Sequence, residues 1–263
     1  MAYRLPDLTD DPRGSYEALL LENRAKGRAV PEVGAFAAEI ALSPSGGTSS
    51  FAMREPSAQA LWLSYEATLN EVEADGRSRA RRGEELSYHN RAHVADCLLA
   101  LACLYRFDSH LDDHAKLLGL VVMAGHDLGH QGRTNEELGS AGEQERQTLA
   151  RLVEGAWRGL RPADLSAASQ LLLGTDPAAV KENHRRFLAM EQPSELDLLQ
   201  VLINEADIAG SFHPSLAESL TLALLRERGQ VECKVSAASM YEIFRSQAMV
   251  SSTPGRLLLG HAQ

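Results

Sequence analysis

The sequence predicts an all-α fold, a compact arrangement of roughly six to ten helices. Three observations predict it. Apolar residues recur at three- and four-residue steps over most of the chain, the spacing that lines one side of a helix. Alternating, β-branched strand patterns are scarce. Aromatic residues are only 5% of the chain, and there is no internal repeat or long low-complexity segment.

Taken in order, Glu17 to Lys26 predicts a short helix, and the turn-rich stretch from Ser43 to Ser50 breaks the helical pattern. Residues 1–55 read as a peripheral, partly flexible N-terminal segment, and residues 56–263 as the principal domain. Leu61, Tyr65, Leu69 and Val72 set a helix, with Ser57 as its N-cap. Residues 91–106 and 113–126 are apolar almost all round and predict buried helices. Further helices are expected at 144–157, 163–174, 195–209 and 215–228, with Asp164 and Ser215 as caps.

The composition narrows the function. Lysine plus arginine total 26 and aspartate plus glutamate 36, for a net charge of −10 over 263 residues. A nucleic-acid-binding surface needs clustered lysine and arginine, so this balance argues against one. Three cysteines, Cys97, Cys103 and Cys233, form no C-x-x-C pair, which excludes a disulfide scaffold or thiolate zinc cluster and fits a reducing, cytoplasmic setting. No secretory signal and no run of 18 apolar residues is expected to direct the chain to a membrane.

The histidines are unevenly placed: six of nine fall between His89 and His130. His89 and His93 stand four residues apart, which on a helix puts them on one face; chance alone supplies about 0.3 such pairs in this composition. The motif His126-Asp127-Leu128-Gly129-His130 is far less common by chance, about 0.015. It closes the apolar run 117–124, so His126 and Asp127 belong at the end of a buried helix. Asp207 continues the apolar face of Leu196, Leu199 and Ile203, and His93 aligns with Cys97, Leu101 and Leu104. A carboxylate aimed at a core is costly unless it is paired or binds a cation. His93, His126, Asp127 and Asp207 therefore point inward from separate helices, and imidazole nitrogen with carboxylate oxygen suits a divalent transition metal. His110 and His114, beside Asp112 and Asp113, read as solvent-facing loop residues.

These motifs resemble a known family. Tyr88-His-Asn-Arg-Ala-His93, Gly125-His-Asp-Leu-Gly-His-Gln-Gly132 with Asn135, and Asn204-Glu-Ala-Asp-Ile-Ala-Gly210 are similar to the catalytic domain of class I cyclic-nucleotide phosphodiesterases. That family lies within the HD superfamily of metal-dependent phosphohydrolases, and the resemblance runs over about residues 60–250. It implies that His93, His126, Asp127 and Asp207 hold a tight metal, zinc in most of the family, with manganese or iron also compatible with such donors. Asp127 would also touch a second ion, typically magnesium, and a hydroxide bridging the two would attack phosphorus. His89 would be the general acid for the leaving 3′-oxygen, with His130 and Glu143 orienting water. Tyr88, Thr175, Phe244 and Gln247 would face the nucleotide; Thr175 comes from a Leu173-Gly-Thr-Asp176 segment similar to one beside the family's metal site.

The chain departs from the family at several points. Gly129 and Gln131 replace the usual aspartate and proline, and the segment from Asn135 to Glu143 is short. The glutamine that reads the purine is matched by Gln247, but Val250 stands where a phenylalanine is usual, which leaves Phe244 as the candidate aromatic. The implied activity is hydrolysis of cAMP or cGMP, a small-molecule partner, to the nucleoside 5′-monophosphate. The alternatives are an HD-type phosphohydrolase or nucleotidase acting on another phosphoester, and a non-catalytic nucleotide-binding module that kept the fold.

Overall fold

The computed structural model describes residues 8, 10–42, 56–108, 110–230 and 236–260. Cys233 and the Ser43–Ser50 stretch lie outside them. Among the described residues there are thirteen α-helices, one short 3-10 helix and no strand: the class is all-α as the periodicity predicts, with more helices than the six to ten expected.

Two helices open the described chain, α1 (Pro12–Lys26) and α2 (Val30–Leu42). Then come α3 (Pro56–Arg82), α4 (Arg91–Tyr105) and α5 (Asp113–Gly125). The short α6 (Asn135–Leu138) leads to α7 (Glu143–Glu154), α8 (Pro162–Leu173) and α9 (Pro177–Ala189). Helix α10 (Glu195–Ile208) runs into a 3-10 turn (Ala209–Phe212), followed by α11 (Pro214–Glu227), α12 (Ala237–Gln247) and α13 (Thr253–Leu259).

The centre of the molecule is α4. Every residue from His93 to Tyr105 is buried, because α1, α2, α5, α10 and α13 pack around it. A helix that is apolar on all sides has no face to give to water, so a central position is the stable one. Helix α5 has the same character and is enclosed by α2, α3, α4, α8 and α10.

The N-terminal residues correct one expectation. Val30, Val33, Phe36, Ala37 and Ile40 of α2 are buried in the same apolar cluster as α4, so one face of α2 belongs to the core, while Glu32 and Glu39 are exposed. Helix α1 adds Tyr16, Leu19 and Leu20 to that cluster, and Arg24 pairs with the buried Asp96 of α4. Glu32 and Glu39, seven residues apart, mark the exposed side of α2, a pattern that treating residues 1–55 as one segment passed over.

Several caps also differ. Asp164 lies inside α8, behind the N-cap Arg161, and binds the Arg161 guanidinium and His114 Nε2 (2.9 Å). His114 is thus in the first turn of α5 and paired, not a free loop residue. Ser215 follows the cap His213 of α11 and its hydroxyl binds Glu17. Ser57 is the second residue of α3.

Candidate metal centre and active site

Four segments meet at the site. Asn90 caps α4: its Oδ1 accepts from the backbone N–H of Ala92 (2.9 Å) and His93 (3.2 Å). The helix therefore begins at Arg91, and His89 stands before it. The two histidines do not share a helical face as their spacing suggests; the turn at Asn90 sends His93 into the core and His89 into the cleft, with ring centroids 5.7 Å apart.

His126 caps the C-terminal end of α5, and its Nδ1 bonds the carbonyl of Met123 at 2.8 Å. When the ring is neutral, as a metal ligand must be, that bond places the proton on Nδ1 and leaves the Nε2 lone pair facing the site; without an ion the neighbouring carboxylates favour the protonated ring. The chain then turns back through Gly129 at φ +83°, a left-handed conformation that glycine adopts without strain. This turn brings Asp127 and His130 to one small pocket with His89.

The four predicted ligands converge. His93 Nε2 lies 3.0 Å from Asp207 Oδ1 and 3.3 Å from Asp127 Oδ2. His126 Nε2 lies 3.3 Å from Asp127 Oδ2 and 3.4 Å from Asp207 Oδ1. Ligand bonds of about 2.0–2.1 Å at tetrahedral angles give donor separations of about 3.3 Å, so this set fits a cation. Two buried atoms here, His126 Nε2 and Asp127 Oδ2, have no hydrogen-bond partner, which is the further mark of atoms aimed at an ion. Burial alone would raise both carboxyls; instead the neighbouring imidazoles hold Asp127 and Asp207 well below the usual carboxylate range.

Beside this set is a second group, His89, His130 and Glu227. Glu227 Oε2 accepts from the backbone N–H of Tyr88 (2.8 Å) and His89 (3.0 Å), and its Oε1 holds His89 Nδ1. These bonds clamp the His89 ring and leave its Nε2 for the cleft. His130 stacks on His89 with centroids 3.9 Å apart, and its Nδ1 accepts a hydrogen bond from the backbone N–H of Gly132. Burial pushes His130 down to about 4, so it is neutral at about pH 7.

The cleft measures about 360 Å³ and is lined by His89, His130, Asn135, Glu145, Asp176 and Glu227, among others. Glu145, not the expected Glu143, reaches it. Glu145 is buried and accepts from Asn135 Nδ2 (3.0 Å), whereas Glu143 is engaged by Arg146, Gln147 and Ser140 on the outer side of α7. Two residues along a helix is about 200° of rotation, so only one of the pair can face the cleft. Thr175 is buried and its hydroxyl donates to Leu172 O (2.7 Å), while its neighbour Asp176 lines the cleft and caps α9. Tyr88 packs on His93 with centroids 4.8 Å apart. Phe244 packs against Phe212, and Gln247 is exposed at the end of α12; neither lines the cleft.

Sequence reasoning missed Glu227 and Glu145. Glu227 lies 138 residues from His89, in a polar helix end with no distinguishing spacing. Glu145 could have been found from its position on the face of α7 that carries the buried Thr148 and Leu152.

An all-α fold with a buried His/Asp centre defines a candidate metal-dependent hydrolase. Residues 88–145 match the sequence model of the 3'5'-cyclic nucleotide phosphodiesterase family. The resemblance to a class I phosphodiesterase catalytic domain is thereby shown over the segment that holds His89, His93, His126, Asp127 and His130. No curated protein matches the chain. Among the described residues no helix is long and apolar enough to cross a membrane.

Proposed function

We propose that this protein hydrolyses a 3′,5′-cyclic nucleotide, cAMP or cGMP, to the nucleoside 5′-monophosphate. The observation that carries the reading is the proximity of two groups: a four-donor His/Asp set with orphaned buried atoms, and a glutamate-clamped histidine, His89, whose ring centroid is 5.7 Å from that of His93. His93, His126, Asp127 and Asp207 would hold the tight cation, zinc by preference, and Asp127 would share a second, magnesium or manganese. Bound there, two dications supply an activated water and neutralise phosphoryl charge.

The chain's own residues do the rest. Glu227 fixes the His89 ring through Nδ1, so that His89 Nε2 is positioned to deliver a proton to the departing 3′-oxygen. His130, neutral and stacked on His89, covers one face of that ring and limits its motion. Asn135 ties Glu145 to Asp176 and so holds two carboxyls at the cleft wall, placed to accept bonds from water.

Purified protein with magnesium or manganese, assayed on cAMP and cGMP, tests this. The expected product is the 5′-monophosphate; no turnover of either with metal demonstrably bound refutes it.

A second reading, an HD-type phosphohydrolase acting on another phosphoester, is favoured by the outer cleft. Gln247 and Phe244 do not line it, whereas Arg133 and Arg228 do, and neither arginine has an ion-pair partner among the described residues. Higher activity on phosphomonoesters than on cyclic nucleotides would select this reading.

A further inference from the structure

Helix α3 reaches the active site through a ladder of charges. Glu71, Asp75 and Arg79 follow one another at four-residue steps and form one stripe along the helix. Arg151 of α7 lies across that stripe: its Nε donates to Glu71 Oε1 (2.9 Å), and its Nη1 and Nη2 donate to Asp75 Oδ1 (3.2 Å each). The other oxygen of Asp75 holds Arg79 Nε at 2.7 Å. Two carboxylates and two guanidiniums leave the ladder neutral, and at its end Arg79 Nη1 donates to the backbone carbonyl of His130 at 2.7 Å.

That last bond matters because of where His130 stands. Gly129, at φ +83°, gives the turn no side chain with which to anchor itself. The ties to α7 fall on either side of His130: Thr148 donates to Leu128 O (3.0 Å), and Gln144 Oε1 accepts from Gln131 N–H (3.3 Å). Arg79 grips His130 itself, through a charge-assisted bond that is the shortest of the three. The His130 ring stacks on His89, and Asp75 and Arg79 line the same small pocket as His89, Asp127 and His130. A shift of the His130 backbone therefore carries its ring off the face of His89.

We propose that Arg79 is a positioning residue for the proton-delivering histidine. It holds the His130 backbone, with Asp75 and Arg151 orienting its own side chain, and so keeps the His130 ring against His89. The inference rests on the reading of His89 as general acid and deepens it. Arg79 acts through His130 and His89, not on the ester. Its loss misplaces a proton donor needed in the transition state and leaves the metal ligands in place, so kcat falls while KM does not.

The test uses the full-length protein with metal bound. Arg79→Ala is expected to lower kcat for a cyclic nucleotide by about tenfold or more, with KM within about twofold and metal content unchanged. Millimolar guanidinium should restore much of the lost rate by occupying the vacated position. Arg82→Ala removes an exposed α3 arginine that bonds Ser78 and Glu84, and should leave kcat as in wild type. Amide hydrogen exchange supplies a reading that needs no turnover. The N–H groups of His130, Gln131 and Gly132 bond Asp127 O, Gln144 Oε1 and His130 Nδ1. They should exchange faster in Arg79→Ala, while the amides of α4 and α5 keep their wild-type rates. An unchanged kcat overturns the proposal, as does a loss that guanidinium leaves unrepaired or one accompanied by faster exchange throughout the fold. Failure of the underlying reading looks different: wild type with metal bound then turns over neither cAMP nor cGMP. Exchange alone then decides whether Arg79 holds the turn, and unaltered rates at residues 130–132 overturn it.

Discussion

Two faces of α10, one toward the His/Asp centre and one toward the segment Ser251–Leu259, are anchored in different ways. Asp207 faces the pocket and Glu205, two residues earlier, faces the C-terminal segment. Asp207 meets two imidazoles, which hold it ionised. Glu205 meets only neutral donors: the backbone N–H of Ser251 (2.7 Å) and Ser252 (2.8 Å), and the Ser252 hydroxyl. Burial therefore prevails and raises Glu205 to about 7. Gly255 permits the close approach, since a Cβ there would come within 2.2 Å of a Glu205 oxygen.

The difference extends to the helices themselves. The pocket draws on α4, α5 and α10, all buried in one core, so its donors are held from several directions. Helix α12, which carries Phe244 and Gln247, has no fully buried side chain among those described and is held chiefly by Phe244 on Phe212 and by the Tyr241 hydroxyl donating to Phe212 O. Packing thus enforces the chemical centre, while the end expected to read the base rests on a few surface contacts.

This contrast is put to its hardest test at the pocket. Asp207→Ala is expected to abolish both zinc binding and turnover, measured by metal analysis of the dialysed protein and by assay; retained zinc with full activity would show that the four-donor set is structural. Glu227→Gln should leave metal content unchanged and lower kcat by about 10²-fold or more, the range of general acid–base contributions. If that substitution strips metal instead, Glu227 belongs to the ligand set and not to the proton-delivering pair.

A smaller effect belongs to the C-terminal side. His184 of α9 is buried, bonds Ser251 Oγ at 2.7 Å through Nδ1, and is pushed down to about 4 by desolvation. The fold therefore favours its neutral form. The stability this contributes is complete above the ordinary histidine value of about 6.5 and is lost as pH falls from there through the folded value, by up to about 3 kcal/mol. Urea unfolding at a series of pH values should show that acid limb in wild type and a flatter one in His184→Gln; identical limbs would place the acid sensitivity elsewhere. The smallest effect is at the exposed end: Gln247→Ala should change KM for a cyclic nucleotide by no more than about twofold, as for other surface substitutions. A large rise in KM would mean that α12 closes on the substrate.

Much of the centre was legible because its residues obey local rules. His126-Asp127 at the end of an apolar run, and Asp207 on an apolar face, reveal themselves by a mismatch between charge and surroundings that periodicity alone exposes. His89 was legible as a residue but not in its geometry, because Asn90 has two roles open to it and the cap prevails, starting α4 after His89. Glu143 was preferred to Glu145 because motif spacing does not encode which side of α7 faces the cleft.

Local chemistry along the chain dictates the helices, the apolar runs that must be buried, and the His/Asp groups that cannot be buried alone; each of these is written within a few neighbouring residues. It took the packed molecule to establish that Glu227 clamps His89, that one face of α2 belongs to the core, that Asp164 answers His114, and that Arg79 bonds the backbone of His130. The physical reason is range. Capping and amphipathicity act over one helical turn, whereas a hydrogen bond between residues 138 positions apart exists only once packing has brought two helix ends together.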